Sequence, residues 1–349
     1  MMSRRILILG ASYGSLLGTK LAMAGHDVVL VCRAATAAVI NQQGTEVRIK
    51  LRDEPARRAI RSGDLPGTIS ATAPDGVDLS GIDLVALAMQ EPQYGAPEIR
   101  ALMRRIADAG LPCLSIMNMP PLPYLSRIPG LDPARLTDAY GDARVWDRFA
   151  PGKISLCSPD PQAFRPPDAA PNVLHVGLPT NFKAAGFGDP ADTALLADLA
   201  NDIAAIRLEG KDVPVKLRLH SSLFVPLAKW SMLLTGNYRC ITEGTALPIR
   251  DAVHGDPVAS HAIYTHVDAI ARALGADPAD QVPYEKYAAA AENLGKPSSA
   301  ARAIDAGARA IERVDRLVQL IARDLGMAHP EIDRVVALVD TRLARNRSA

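Results

Sequence analysis

Aromatic residues make up only 4% of this chain, which argues against the stacking platforms that hold single-stranded nucleic acid. Net charge is lacking too, with 39 basic residues against 38 acidic ones. No overall field therefore draws in nucleic acid or an anionic lipid surface, and neither is expected as a partner. No apolar run approaches the ~18 residues needed to span a bilayer. The four cysteines, Cys32, Cys113, Cys157 and Cys240, lie far apart without C-x-x-C spacing. That pattern fits reduced thiols in a cytoplasm better than a disulfide framework or a metal site. Histidines offer no metal site either. His254, His261 and His266 lack i, i+4 pairing and a partner acid, and no metal is expected.

What remains is an aliphatic chain, 48% hydrophobic and 22% charged, as in soluble globular proteins. Its 349 residues are too many for one compact core and suit two domains. The start of the chain has two readings. Arg4-Arg5, the apolar Ile6–Gly18 and Ala22-Met23-Ala24 could form a cleaved signal sequence. Alternatively, Arg5–Leu9 is a buried strand and Gly14–Ala24 a helix. The second reading is favoured because Gly25-His26-Asp27 and Val28–Val31 continue it as a turn and a second strand, completing a βαβ unit.

Short aliphatic runs at Ile6–Leu9, Val28–Val31, Leu84–Ala88 and Leu114–Met117 alternate with helical stretches at Gly14–Ala24, Ala34–Asn41 and Pro97–Ala109. Strands apolar on both faces and separated by helices imply a parallel sheet covered on both sides. Between Pro120 and Pro179 prolines crowd. Lys153–Cys157 and Val173–Val176 survive there as strand-like pieces, expected at the far edge of the same sheet. From Asp189 onward helical spacing takes over. Helices are expected after Asp189-Pro190 and at about Ser221–Asn237, Pro257–Leu274, Tyr284–Leu294, Ala300–Leu325 and Pro330–Leu343. The expected fold is an α/β Rossmann-type domain over residues 1–187, followed by an all-α domain over 188–349.

Gly10-Ala11-Ser12-Tyr13-Gly14, with Ser15 after it, lies between the first strand and the first helix. Glycines there let a pyrophosphate approach the backbone, and the helix N-terminus favours its charge. The turn is one residue short of G-x-G-x-x-G and has Ser12 in place of a glycine. It also reads as G-x-S-x-G, a hydrolase nucleophile elbow, although that elbow belongs later in a sheet. A tight turn without a ligand is the third reading. Arg33 ends the second strand, 19 residues after Gly14. An Asp or Glu there would serve the ribose hydroxyls of NAD, whereas an arginine suits the 2′-phosphate of NADP(H).

Taken together, these and later motifs resemble the ketopantoate reductase family. Gly14-Ser15-Leu16-Leu17-Gly18, Ala24-Gly25-His26-Asp27-Val28 and Cys32-Arg33 are similar to its opening unit. Asp83–Ala88 with Gln93 resembles its fourth strand and the glutamine after it, and Asn118 falls at the asparagine closing its fifth. Lys229 and Asn237 match two members of its K-x-x-x-N-x-x-x-N helix. Pro297-Ser298-Ser299 resembles its serine-containing turn. The resemblance implies a Rossmann domain paired with a helical one, and reduction of a 2-keto acid by NADPH. By the same resemblance Lys229 would protonate the developing oxyanion, and Asn118 and Asn237 would orient cofactor, water or substrate. Ser298 or Ser299 would hold the substrate carboxylate. The family's glutamate falls on Glu312 if the helix from Ala300 is shifted by a residue or two, and on Ala310 by ungapped counting. Lys229, Leu233 and Asn237 stand at i, i+4 and i+8 on one helix face.

Departures from the family pattern point to the substrate. Gln90 replaces a lysine, Met119 a glycine, and Leu233 the first helix asparagine. A leucine cannot pair a substrate hydroxyl, and methionine adds adaptable apolar surface. A more apolar carbonyl compound than ketopantoate is therefore expected. The assembly expected is a homodimer in the cytoplasm. A dehydrogenase of the same architecture acting on another alcohol or imine, and a non-redox cofactor-binding relative, are the alternatives the sequence leaves.

Overall fold

A computed structural model describes residues 2–52 and 54–349. The strands are β1 (Arg5–Leu9), β2 (Asp27–Val31), β3 (Glu46–Lys50), β4 (Arg57–Arg61), β5 (Ile69–Thr72), β6 (Leu84–Leu87) and β7 (Cys113–Ile116). After them come β8 (Ile154–Ser158), β9 (Gln162–Phe164), β10 (Val173–Leu178), β11 (Phe182–Ala185), β12 (Arg207–Leu208), β13 (Lys211–Asp212) and β14 (Leu217–His220). Helices α1 (Gly14–Met23), α2 (Ala34–Gln43), α3 (Pro97–Asp108), α4 (Leu122–Leu125) and α5 (Pro190–Ala205) are interleaved with them. The rest are α6 (Lys229–Met232), α7 (Ile249–His254), α8 (Pro257–Ala273), α9 (Tyr284–Ala291), α10 (Ser299–Asp305), α11 (Val314–Asp324) and α12 (Pro330–Ser348). No helix of the described residues is long and apolar enough to cross a membrane.

Packing divides the chain into two units. The first takes the chain up to Met89, then Gln93–Met117 and Val145–Ser221; the second takes Gln90–Pro92, Asn118–Arg144 and Ser222–Ala349. In the first unit the main sheet has the order β14-β11-β8-β7-β6-β1-β2-β5. Its central strands run parallel, with Ile6 opposite both Val28 and Leu84. All four residues of β6 and of β7 are buried, as expected of parallel strands covered on both faces. Arg5–Met23 is built into this sheet as β1 and α1, so the strand–turn–helix reading of that segment holds. Gly10 makes the turn possible, at φ 105°, where a Cβ would lie 2.7 Å from the Ala88 carbonyl oxygen.

Three features of this unit differ from the sequence expectation. β10 does not extend the main sheet; it pairs with β3 and β9 in a second sheet of order β4-β3-β10-β9. The alternation of Val47 and Ile49 among Glu46, Arg48 and Lys50 buries one face of β3 and supplies the partner that a search for continuous apolar runs passes over. The first unit also continues beyond residue 187. Helix α5 buries Leu196, Leu199 and Ile203 in one core with Leu16, Leu17 and Leu21 of α1. Beyond it β14 pairs parallel to β11, so strands persist after Asp189.

The second unit contains no strand among the described residues. Two of its helices differ from the expected spans. The stretch expected as one helix over 300–325 is α10 and α11 separated by a turn at Ala306-Gly307 and an extended segment through Arg313. The stretch expected over 221–237 runs as a 3₁₀ turn at Val225–Ala228, then α6, then a π-helical turn at Leu233–Asn237. A tyrosine packs directly against this turn. A Cβ on Gly236 would stand 2.1 Å from the Tyr287 hydroxyl, which donates to the Met232 carbonyl at 3.1 Å. The tyrosine takes the place a side chain would fill, and the widened turn is closed by Tyr238 N–H donating to the Leu233 carbonyl at 2.9 Å.

Candidate functional site

In the first unit, the chain from Gly10 to Gly14 leaves the C-terminal end of β1 and enters α1. The helix start has no side-chain cap and no acidic residue in its first turn, so its positive end is not neutralised locally. Ser12 is exposed, while Ser15 is buried and donates its hydroxyl to the Ala11 carbonyl. Tyr13 does not face open solvent. Its hydroxyl donates to the Pro161 carbonyl at 2.7 Å, and its ring meets Phe182 edge-on at 5.9 Å between centroids. Arg33 is exposed at the start of α2, whose first turn also lacks an acidic residue. Gln93 is exposed in a 3₁₀ turn at Glu91–Gly95. A tight glycine turn and an uncapped helix start would suit the pyrophosphate of a dinucleotide.

In the second unit, two sequence candidates from opposite ends of the chain meet. Asn118, just past β7, donates its side-chain amide to Glu312 Oε2 at 3.4 Å. The Glu91 backbone N–H lies at the same distance from Glu312 Oε1. Glu312 stands in the extended segment before α11 rather than on a helix. Tyr238, directly after the π turn, fixes that segment: its hydroxyl donates to the Glu312 carbonyl at 2.6 Å and accepts from Val314 N–H at 3.0 Å. Ala310, the ungapped alternative, is exposed and carries no functional group. The Asn118 side-chain oxygen is buried without a partner among the described residues, an acceptor that a ligand's N–H or O–H would satisfy.

Electrostatics at this cluster are unusual. Burial pushes the Glu312 carboxyl up to about 7, against the hydrogen bonds from Glu91 and Asn118, with the Glu91 charge adding to the rise. Glu91 itself, 2% exposed, is also raised to about 7 by burial, although Gly141 N–H donates to both its oxygens at 3.1 and 3.0 Å. Two carboxyls poised near neutrality in one small region are what acid–base chemistry requires. Sequence reasoning missed Glu91. Its one signal is position, directly after Gln90 and ahead of Pro92, and an acid beside a proline ordinarily reads as solvated.

The remaining candidates separate by exposure. Lys229 opens α6, partly buried between the buried Ala228 and Trp230. The π turn takes about one residue more than an α-turn over Leu233–Asn237, so Lys229, Leu233 and Asn237 do not stand on the even i, i+4, i+8 face of a regular α-helix. Ser298 is buried and already committed: its hydroxyl donates to the Asn237 carbonyl at 2.7 Å and accepts from Ala301 N–H at 3.1 Å, capping α10. Ser299 is exposed beside it. Leu233 is 6% exposed, and Met119 is wholly buried, in the core rather than on an open wall.

The strand order β5-β2-β1-β6-β7-β8, all parallel, with a glycine turn after β1, defines a Rossmann-type α/β fold, accompanied in the chain by a helical unit. No protein-family model matches the sequence, and no curated protein matches it. Solved structures do share the fold. The 2-dehydropantoate 2-reductase of Methylococcus capsulatus is 16% identical, with a TM-score of 0.68 over 99% of this chain and 98% of its own. The PanE/ApbA-family ketopantoate reductase of Ralstonia eutropha is 19% identical, with a TM-score of 0.62 over 98% and 99%. A D-mandelate dehydrogenase solved with NADH and anilino(oxo)acetate is 14% identical, with a TM-score of 0.65 over 98% and 99%. The chain thus has the fold of the ketopantoate reductases and of D-mandelate dehydrogenase.

Proposed function

We propose that the protein is a diverged ketopantoate reductase-like oxidoreductase that reduces a 2-keto acid with NADPH and prefers a more apolar substrate than ketopantoate. The observation that carries the reading is the meeting of Glu312 and Asn118, 194 positions apart in sequence, at a carboxyl poised near neutrality. Gly10, Ser12, Tyr13, Gly14 and Ser15 would hold the dinucleotide pyrophosphate, with Arg33 on its 2′-phosphate and Gln93 and Asn118 toward its remaining parts. When bound, NADPH would supply the hydride.

The protein's own residues do the rest. Lys229 gives a proton to the carbonyl oxygen as charge grows there, and its positive charge stabilises that oxygen beforehand. Glu312 in its neutral form donates a hydrogen bond to the substrate, and Asn118 keeps its carboxyl oriented. Asn237 presents its amide from the π turn, secured by Ser298 through its carbonyl, while the Ser299 hydroxyl reaches for the substrate carboxylate. Leu233, where the family has an asparagine, offers no hydrogen bond to a substrate hydroxyl. Met119 shapes the packing beneath. The D-mandelate dehydrogenase neighbour, bound to an aryl-bearing oxo acid analogue, supports an apolar keto acid. Small carbonyl compounds are the partners in this reading, with a homodimer in the cytoplasm as its setting.

Lys229→Ala tests the chemistry. It should lower kcat for keto-acid reduction by about a hundredfold or more while NADPH still binds in equilibrium titration. Unchanged turnover would remove Lys229 from the reaction.

A further inference from the structure

The Glu312 carboxyl receives long bonds, from the Asn118 amide and the Glu91 backbone N–H, both at 3.4 Å. Its backbone is held more closely. Tyr238, 74 positions away in sequence, donates its hydroxyl to the Glu312 carbonyl at 2.6 Å, and the same hydroxyl oxygen accepts from Val314 N–H at 3.0 Å. Val314 is the first residue of α11, where an N–H has no acceptor within its own helix. One hydroxyl thus acts as donor and acceptor to the two residues that bracket Arg313. The Arg313 guanidinium is engaged elsewhere, with Asp315 at 2.9 Å and Asp340 at 2.7 Å. Tyr238 is buried, and burial raises its phenol well above the usual value, so the proton it donates stays in place near neutral pH. The backbone of the same residue makes a second tie. Its N–H donates to the Leu233 carbonyl at 2.9 Å and closes the π turn that ends at Asn237. The residue that closes the turn therefore also fixes the segment bearing the acid.

We propose that Tyr238 is a positioning residue for the reduction: by closing the π turn with its backbone and bracketing Glu312 with its hydroxyl, it sets the Glu312 carboxyl relative to the Asn237 amide. The proposal rests on the functional reading above, in which both groups meet the substrate, and adds a residue that none of the family motifs in the sequence contains. A phenylalanine at this position keeps the ring and the bond that closes the π turn. It leaves the Glu312 carbonyl and the buried Val314 N–H without their shared partner. The segment before α11 then relaxes toward water, and the acid no longer meets the substrate at a fixed place.

The test is kcat/KM for 2-keto acid reduction at pH 6 in the full-length wild type, Tyr238→Phe, Glu312→Ala and the double variant. Tyr238→Phe should lower it by about ten- to a hundredfold. In the Glu312→Ala background the same substitution should change it by no more than about twofold, because the group it positions is gone. Equal losses in both backgrounds mark a merely structural role and overturn the proposal. Wild-type kcat/KM in Tyr238→Phe, beside a loss in Glu312→Ala, overturns it too and leaves the functional reading standing. Titration of the Glu312 carboxyl by ¹³C NMR needs no substrate. Its midpoint, near 7 in the wild type, should move down toward 4.5 in Tyr238→Phe as the freed segment takes up water, and an unmoved midpoint overturns the proposal. Should Tyr238→Phe fail to fold, hydrogen exchange in the wild type decides. The Val314 N–H should be protected as strongly as amides inside α11, and rapid exchange there overturns the proposal. A wild type that reduces no 2-keto acid overturns the functional reading and this role with it.

Discussion

Glu312 receives two donors, the Asn118 amide and the Glu91 backbone, and has a second raised carboxyl for a neighbour. Burial is the main cause of the rise to about 7 in each of the two acids. In the proposed reaction an anionic keto acid binds beside them, so ionising Glu312 would oppose it. The kcat/KM for reduction should decline as pH rises through about 7, and Glu312→Gln should flatten that decline. Glu312→Ala leaves nothing to bond the substrate and should cost about tenfold or more at pH 6. A flat wild-type profile between pH 6 and 8 would contradict this role. Glu91 yields a stability prediction with a definite sign. Its folded carboxyl titrates above the ordinary value of 4.5, so its contribution is fully present below about pH 4.5 and is lost as pH rises through about 7. Glu91→Gln should therefore gain about 1–3 kcal/mol over wild type at pH 8 relative to the comparison at pH 5. Urea denaturation at the two pH values measures this, and an equal difference at both would refute it.

The π turn at Leu233–Asn237 joins two residues assigned to chemistry, Lys229 before it and Asn237 at its end. Within it Gly236 leaves the space that the Tyr287 hydroxyl occupies. Gly236→Ala should destabilise by about 1–3 kcal/mol through overpacking. Adding Tyr287→Phe, which deletes the hydroxyl at the clash, should restore part of the loss in a double-mutant cycle. Strict additivity would mean that the two residues do not compete for space. Elements of this kind mark the boundary of what the amino-acid order reveals. β1, β2, β6 and β7 were legible because each is a continuous apolar run, buried on both faces. β3, β4 and β14 were not, because Arg48 and Arg218 interrupt the apolar residues of β3 and β14, and β4 holds only Ala59 and Ile60 between arginines. Glu312 could be singled out by residue type and approximate spacing. Its extended setting could not, since Ile311, Val314, Leu317 and Val318 keep helical spacing across the point where the helix begins. Glu91 was illegible because its burial depends on Gly141, fifty residues away.

At the scale of the molecule, each unit carries a different half of the proposed reaction. In that reading the first supplies a parallel sheet, a glycine turn and Arg33 for the dinucleotide. The second supplies the lysine, the amides and the raised carboxyls suited to a carbonyl substrate. Fold likeness at 14–19% identity leaves the substrate to the side chains, and in the proposed reading Leu233, at the position where the resemblance places an asparagine, bears on it most directly. Leaving a substrate hydroxyl buried and unpaired costs about 1–3 kcal/mol, or roughly ten- to a hundredfold in kcat/KM. The most direct measurement is steady-state oxidation of NADPH by the wild-type protein with ketopantoate beside aryl- and branched-alkyl 2-keto acids. The account predicts turnover, with an aryl or branched substrate preferred over ketopantoate by roughly tenfold or more. NADPH that binds but is oxidised by none of these acids would contradict it.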